Sequence, residues 1–149
     1  MGTRSAIGVM HGDVCKAVYC HWDGYLEHNG RILQEHYDST KANFLVALGD
    51  ISSLRETIGE EHPFSAFEIN MDLDEYKEKY GNMTTFYGRD RKEEHVSWKT
   101  FHSYDKFYDY FDGSGAEYYY IMKDGVWYYS TCTDKTLRIL SEALETITA

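Results

Sequence analysis

Apolar and polar residues alternate clearly in two stretches of the chain and recur at helical spacing in several others. Residues 3–11 and 14–22 alternate around Gly12-Asp13. A two-residue loop with glycine first predicts a hairpin closed by a type II′ turn. In that register Val9 opposes Lys16, Ile7 opposes Val18 and Arg4 opposes His21. Paired residues share a face, so Val9, Ile7, Val18 and Trp22 read as core. The other face carries Gly8, Ala17, Ala6 and Tyr19, with Arg4 and His21 at one end. Small side chains there allow a backbone or a ligand to approach closely.

A second hairpin is signalled by residues 117–123 and 126–132 around Asp124-Gly125, a type I′ pair. Tyr118, Tyr120, Met122, Trp127 and Tyr129 fall on one face, Tyr119, Ile121, Tyr128 and Ser130 on the other. Two aromatic faces predict a ribbon covered on both sides, or one that offers a binding or self-association surface. Helical spacing places Ile32, Leu33, His36 and Tyr37 on one helix, with Asn29 as its N-cap. Asp38-Ser39 caps a second helix that Gly49 stops, and Ser103 caps a helix over 104–111. Residues 72–80 read as a short acidic helix, 64–71 and 95–101 as strands. Leu137, Leu140, Leu144 and Ile147 predict one amphipathic helix over 134–148, capped by Thr133. The sum is a single α+β domain over residues 1–149, a mainly antiparallel sheet built from two β-hairpins with helices packed on it.

Charge changes this picture. The 149 residues carry a formal net charge of −10, which argues against salt-driven, non-specific binding to nucleic acid or to an anionic membrane. The deficit is local. Residues 56–94 hold eleven acids against five bases, whereas residues 1–37 are nearly neutral and hold four of the seven histidines. No apolar run reaches a bilayer-spanning length, and the start MGTRSAIGVMHGD lacks the apolar core of a signal peptide. Cys15, Cys20 and Cys132 form no C-x-x-C pair, and positions 15 and 20 fall on opposite strand faces, so buried, inert thiols are expected.

The densest candidate chemistry runs from a strand end through a loop into a helix: His21, Trp22, Asp23, Tyr25, His28, Asn29 and Arg31, with Arg4 across from His21. Arg4, His21 and Arg31 suit phosphate, Trp22 and Tyr25 suit stacking on a base, and Asp23 or Asn29 suit a sugar or base edge. The same residues also read as ordinary turn and core positions. The histidines lack zinc-type spacing, so no metal and no cofactor are expected, and no catalytic residue is assigned. His95-Val96-Ser97 matches the H-x-S/T half-motif of two-histidine phosphodiesterases, but no second copy exists. Asp105, Asp109 and Asp112 share one side of a helix, which reads as a solvated face or as an acidic surface that mimics DNA phosphates.

The opening Met-Gly-Thr-Arg-Ser and the stretch His21-Trp22-Asp23-Gly24-Tyr25 before Gly30 resemble a family of small proteins in tailed bacteriophages and bacteria. The resemblance covers about the first quarter of the chain and brings no catalytic role. It implies a phage-type accessory protein, a class that often counters host antiviral defence; the leading expectation here is that it acts without enzymatic activity, in the cytoplasm of an infected bacterium. Joined to the polar cluster, it leads to the expectation that a small nucleotide immune signal is bound and sequestered. The alternatives are an acidic protein-protein inhibitor of a host defence nuclease or effector, and a phosphodiesterase-like hydrolase. Expected partners are a small anionic nucleotide or a host defence protein, with no membrane. The aromatic strands predict a homo-oligomer.

Overall fold

The computed structural model describes residues 3–148. Met1 and Gly2 of the opening motif lie outside the described residues. The chain runs β1 (Ser5–His11), β2 (Val14–Cys20), α1 (Arg31–His36), α2 (Ser39–Ala47), β3 (Ile51–Ser53), α3 (Leu73–Tyr80), β4 (Thr85–Phe86) and α4 (Tyr87–Arg91). It continues through β5 (Lys99–Phe101), α5 (Tyr104–Gly113), β6 (Tyr118–Lys123), β7 (Val126–Thr131), β8 (Asp134–Ile139) and α6 (Leu140–Thr148). All eight strands join one sheet in the order β4-β3-β2-β1-β6-β7-β8, with β5 paired to β2.

Both predicted hairpins form in the expected register, His11 against Val14 and Lys123 against Val126. Gly12 alone of its turn pair has positive φ, as a type II′ turn requires, while Asp124 and Gly125 both do, as type I′ requires. The hairpins are joined through β1 and β6, which run parallel over Ser5–Met10, so the sheet is mixed rather than built from antiparallel pairs alone. A parallel pair needs a long crossover, and here everything between β2 and β6 supplies it. The caps form too: Asp38 accepts from Lys41 N and Ser103 from Lys106 N.

Three of the predicted elements fail. Residues 134–148 are not one helix. Asp134 closes a turn by accepting from Thr136 N and Arg138, and 134–139 pairs with β7 as an edge strand before α6 begins. Thr133 therefore caps nothing. The segment 64–71 holds only a 3-10 turn, Phe67–Ile69, and the 95–101 strand shrinks to its last three residues. In both, apolar residues remain unpaired with a sheet: Phe67 is 96% and Trp98 40% exposed.

The sheet separates two cores, as strand alternation dictates. Ile7, Val9, Val18, Tyr120, Met122 and Trp127 face α1, α2 and α6. Ala6, Cys15, Ala17, Tyr119 and Ile121 face the aromatic side of α5. The small residues of the first hairpin make room for that helix: a Cβ on Gly8 would stand 3.4 Å from the Phe107 ring and 2.8 Å from Cys15 Sγ. Cys15 and Cys20 lie buried in opposite cores, their thiols pushed up to about 12 and about 11 by burial. Cys132, expected inside, is exposed on the β7–β8 turn. Among the described residues no helix is long and apolar enough to cross a membrane.

Candidate functional site

The strands that build the two cores also sort the predicted polar cluster. Arg4, Tyr19 and His21 have the parity of Ala6 and Ala17, so they emerge on the α5 face. The loop after β2 crosses to the other face, carrying Asn29 and Arg31 with it. The eight predicted residues therefore do not share one cavity.

On the far face the segment is closed and packed. Gly24 N donates to Thr3 O (2.7 Å), and the buried Tyr120 hydroxyl donates to Gly24 O (2.6 Å). A Cβ at Gly24 would lie 2.7 Å from Ser5 Cβ, so no larger residue fits. Asp23 takes positive φ to turn the chain, and Leu26–Gly30 winds as a π-helical turn directly into α1. Asn29 is thus not an N-cap. It is fully buried, and its Nδ2 donates towards Ser5 Oγ (3.3 Å), Cys20 Sγ (3.3 Å) and Trp22 O (3.4 Å). Its Oδ1 accepts from His28 Nδ1 (2.9 Å), and His28 Nε2 in turn accepts from Arg55 Nη1 (3.3 Å). Tyr25 tilts against His28. Arg31 pairs with Glu35 (3.7 Å). Trp22, expected in the core, is 43% exposed and packs edge-on against His21.

On the α5 face a cleft of about 320 Å³ opens between the end of β2, the start of β5 and the last turn of α5. Tyr19, Asp50, His95, Lys99, Tyr110, Phe111 and Ser114 line it. The Tyr19 hydroxyl and His21 Nδ1 are hydrogen-bonded at 2.7 Å. Burial pushes the Tyr19 hydroxyl up, while burial and then the Arg4 guanidinium lower His21 below its ordinary value. Arg4 lies beside the cleft rather than in its lining: its Nη1 is 3.1 Å from where a Gly115 Cβ would stand, and its charge acts on Tyr19 and His21. Asp50 accepts from Tyr19 N (2.9 Å), and burial raises its carboxyl above the usual range. Lys99 lies over the Tyr110 ring at 5.8 Å. Among the described residues neither Arg4 nor Lys99 has a carboxylate within 4 Å.

Sequence reasoning brings Arg4 and His21 beside this cleft, next to Tyr19 but outside its lining, and misses Asp50, Lys99 and Tyr110. Lys99 joins only because β5 pairs with β2, setting it opposite Ala17. No local signal announces that pairing.

Sequence reasoning also misses a buried cluster around Asp90. The Asp90 carboxylate accepts from Phe86 N (2.8 Å), His62 N (3.1 Å) and the Arg89 guanidinium (3.0 Å). Arg89 goes on to Thr84 O, Ile58 O and Gly59 O, and His62 bonds Glu60 O and Thr85 Oγ1. Every charge is met inside the chain, so this is a clip that ties the 58–62 segment to α4.

The remaining candidates change less. Lys135 of β8 bridges Asp105 (2.9 Å) and Asp109 (3.8 Å), and Asp112 accepts weakly from the Tyr119 hydroxyl (3.5 Å). The acidic stripe of α5 is therefore partly neutralised. His95 of the H-x-S half-motif is almost fully exposed on a positive-φ residue, with Glu94 (3.9 Å) beside it. Among the described residues no group of three or more His, Cys, Asp or Glu is placed to hold a metal ion. Comparisons with protein-family models, curated proteins and solved structures give no match.

Proposed function

We propose that the protein is a non-enzymatic binding protein for a small anionic nucleotide, seated in the cleft beside Tyr19. The observation that carries this reading is two cations with no carboxylate within 4 Å among the described residues, Lys99 in a cleft walled by Tyr19 and Tyr110 and Arg4 beside it. In a chain of net charge −10, two cations with no carboxylate in contact mark a place where negative charge is welcome. Its volume of about 320 Å³ stands at the lower end of the roughly 300–1,000 Å³ of small-molecule sites. Phosphate meets Arg4, Lys99 and His21, the base lies along the tyrosines, and Asp50 accepts from a base or sugar N–H or O–H. Lys99 takes the part first assigned to Arg31. Asp50 takes that of Asp23 and Asn29.

Binding rather than turnover fits the groups present. The Tyr19 hydroxyl is pushed away from neutrality, the wrong direction for a base or nucleophile. The opening residues supply the biological half of the proposal: a phage-type accessory protein that counters host antiviral defence by sequestering a nucleotide immune signal. The test is calorimetric titration and thermal shift with cyclic dinucleotides and ADP-ribose derivatives. No heat and no shift with any of them overturns the reading. A salt-sensitive complex with a host nuclease, lost on charge reversal at Asp105 and Asp109, supports the acidic-inhibitor alternative instead. Turnover lost in His21→Ala supports the hydrolase. Light scattering on the same samples checks the expected self-association.

A further inference from the structure

A second cleft, between α3 and the start of β4, differs in kind from the first. It encloses about 400 Å³, and its lining contains Arg55 and Lys77 but no carboxylate. That is unexpected from composition, because residues 56–94 hold eleven acids. Among the described residues neither Arg55 nor Lys77 has a carboxylate within 4 Å.

Arg55 is also fixed in place. Its Nη1 donates to Leu54 O (2.9 Å) and to His28 Nε2 (3.3 Å). His28 is held by the fully buried Asn29, which is anchored on Ser5 and Cys20. A chain of hydrogen bonds from the core thus sets the guanidinium, while its Nε and Nη2 have no acceptor among the described residues. A guanidinium oriented in advance loses little freedom on binding an anion and offers it a two-pronged edge. Lys77 adds a second positive charge, and Asn82 also lines the cleft. Tyr80 serves as wall rather than stacking platform: His62 stacks on its ring at 5.4 Å and Lys79 lies over it at 5.7 Å. Recognition therefore falls on the anion.

The geometry points to a second binding site here, for the dianionic phosphate of inorganic phosphate or of a phosphate monoester, held by Arg55 and Lys77. Two cations match the charge of about −1.5 to −2 that a phosphate monoester carries. A single carboxylate leaves one of them unmet. This site is independent of the Tyr19 cleft and stands whether or not that cleft binds a nucleotide. It gives His28 and Asn29 a role in positioning Arg55 from below.

The experiment is a titration of the ¹⁵N-labelled full chain with inorganic phosphate, sodium acetate and sodium chloride at matched ionic strength, read by backbone amide shifts. Phosphate is expected to give saturable shifts in residues 53–55 and 77–85. Lys77→Gln weakens the titration about tenfold or more, and Arg55→Gln abolishes saturation. Arg4→Gln and Lys99→Gln leave it unchanged. Because Arg55→Gln also removes bonds to Leu54 and His28, the exposed Lys77 variant is the cleaner arm. Shifts no larger than with chloride overturn the proposal, as do acetate shifts as strong as those of phosphate, or an unchanged midpoint in Lys77→Gln. Nucleotide-induced shifts at Ser114 and Gly115 report on the Tyr19 cleft alone, so the two readings fail separately.

Discussion

Two polar clusters of this protein use similar residues to opposite ends. Around Asp90, a carboxylate, a guanidinium and an imidazole are enclosed together and find their hydrogen-bond partners inside the chain, with side-chain exposures of 0%, 14% and 1%. Around Tyr19, Asp50 and Lys99 line an open cleft with Arg4 and His21 beside it, and among the described residues neither cation has a carboxylate within 4 Å. Density of charged residues therefore does not mark a site in this molecule. What separates the clusters is whether the charges are already spent on the protein's own backbone. A buried, fully bonded network contributes stability, whereas open, unpaired charge remains available to a ligand.

The contrast breaks most visibly under mutation. Asp90→Ala leaves Arg89 buried without its partner and strips acceptors from His62 N and Phe86 N. It is expected to cost about 3–5 kcal/mol in urea denaturation, with nucleotide binding unchanged in the fraction that folds. If Asp90→Ala unfolds at the wild-type midpoint, the clip is not a clip. Tyr120→Phe is next. It leaves the carbonyl of Gly24 without its 2.6 Å donor on the packed face, for an expected loss of about 1–3 kcal/mol by the same measurement. Arg4→Gln and Lys99→Gln stand at the other pole: stability within about 0.5 kcal/mol of wild type, and nucleotide affinity down about tenfold by calorimetry. A large stability loss in either would assign these cations to the fold.

The smallest effect is a pH dependence. Burial and Arg4 hold His21 below its ordinary pKa of 6.5. As the pH falls through 6.5, the unfolded chain takes up the proton before the folded one does. Stability therefore drops on acidification through that range and levels off below the depressed folded pKa. His21→Gln is expected to lose less melting temperature than wild type between about pH 7.5 and pH 5. An equal loss in both proteins contradicts the depressed His21.

How much was legible beforehand follows the range of the physics. Gly12-Asp13 and Asp124-Gly125 fix their hairpins because turn chemistry is local, and Asp38 and Ser103 fix their helix starts in the same way. The parallel pairing of β1 with β6 depends on contacts over a hundred residues apart and leaves no local trace. Residues 134–139 carry a helical apolar pattern, but the unpaired edge of β7 claims them. For the site, strand parity already put Arg4 and His21 on one face. What it did not show is that a loop leaving a strand end crosses to the other face, which took Asn29 and Arg31 away. Lys99 and Asp50 arrived through β5 and β3, elements too short to announce themselves.

Nucleotide binding in the cleft beside Tyr19, as proposed above, depends on Arg4 and Lys99. Calorimetric titration of wild type and Lys99→Gln with the same nucleotide panel tests it most directly. Saturable one-to-one binding to wild type is expected for at least one nucleotide, about tenfold weaker in Lys99→Gln. Absence of binding across the panel, or equal affinity in the two proteins, contradicts it.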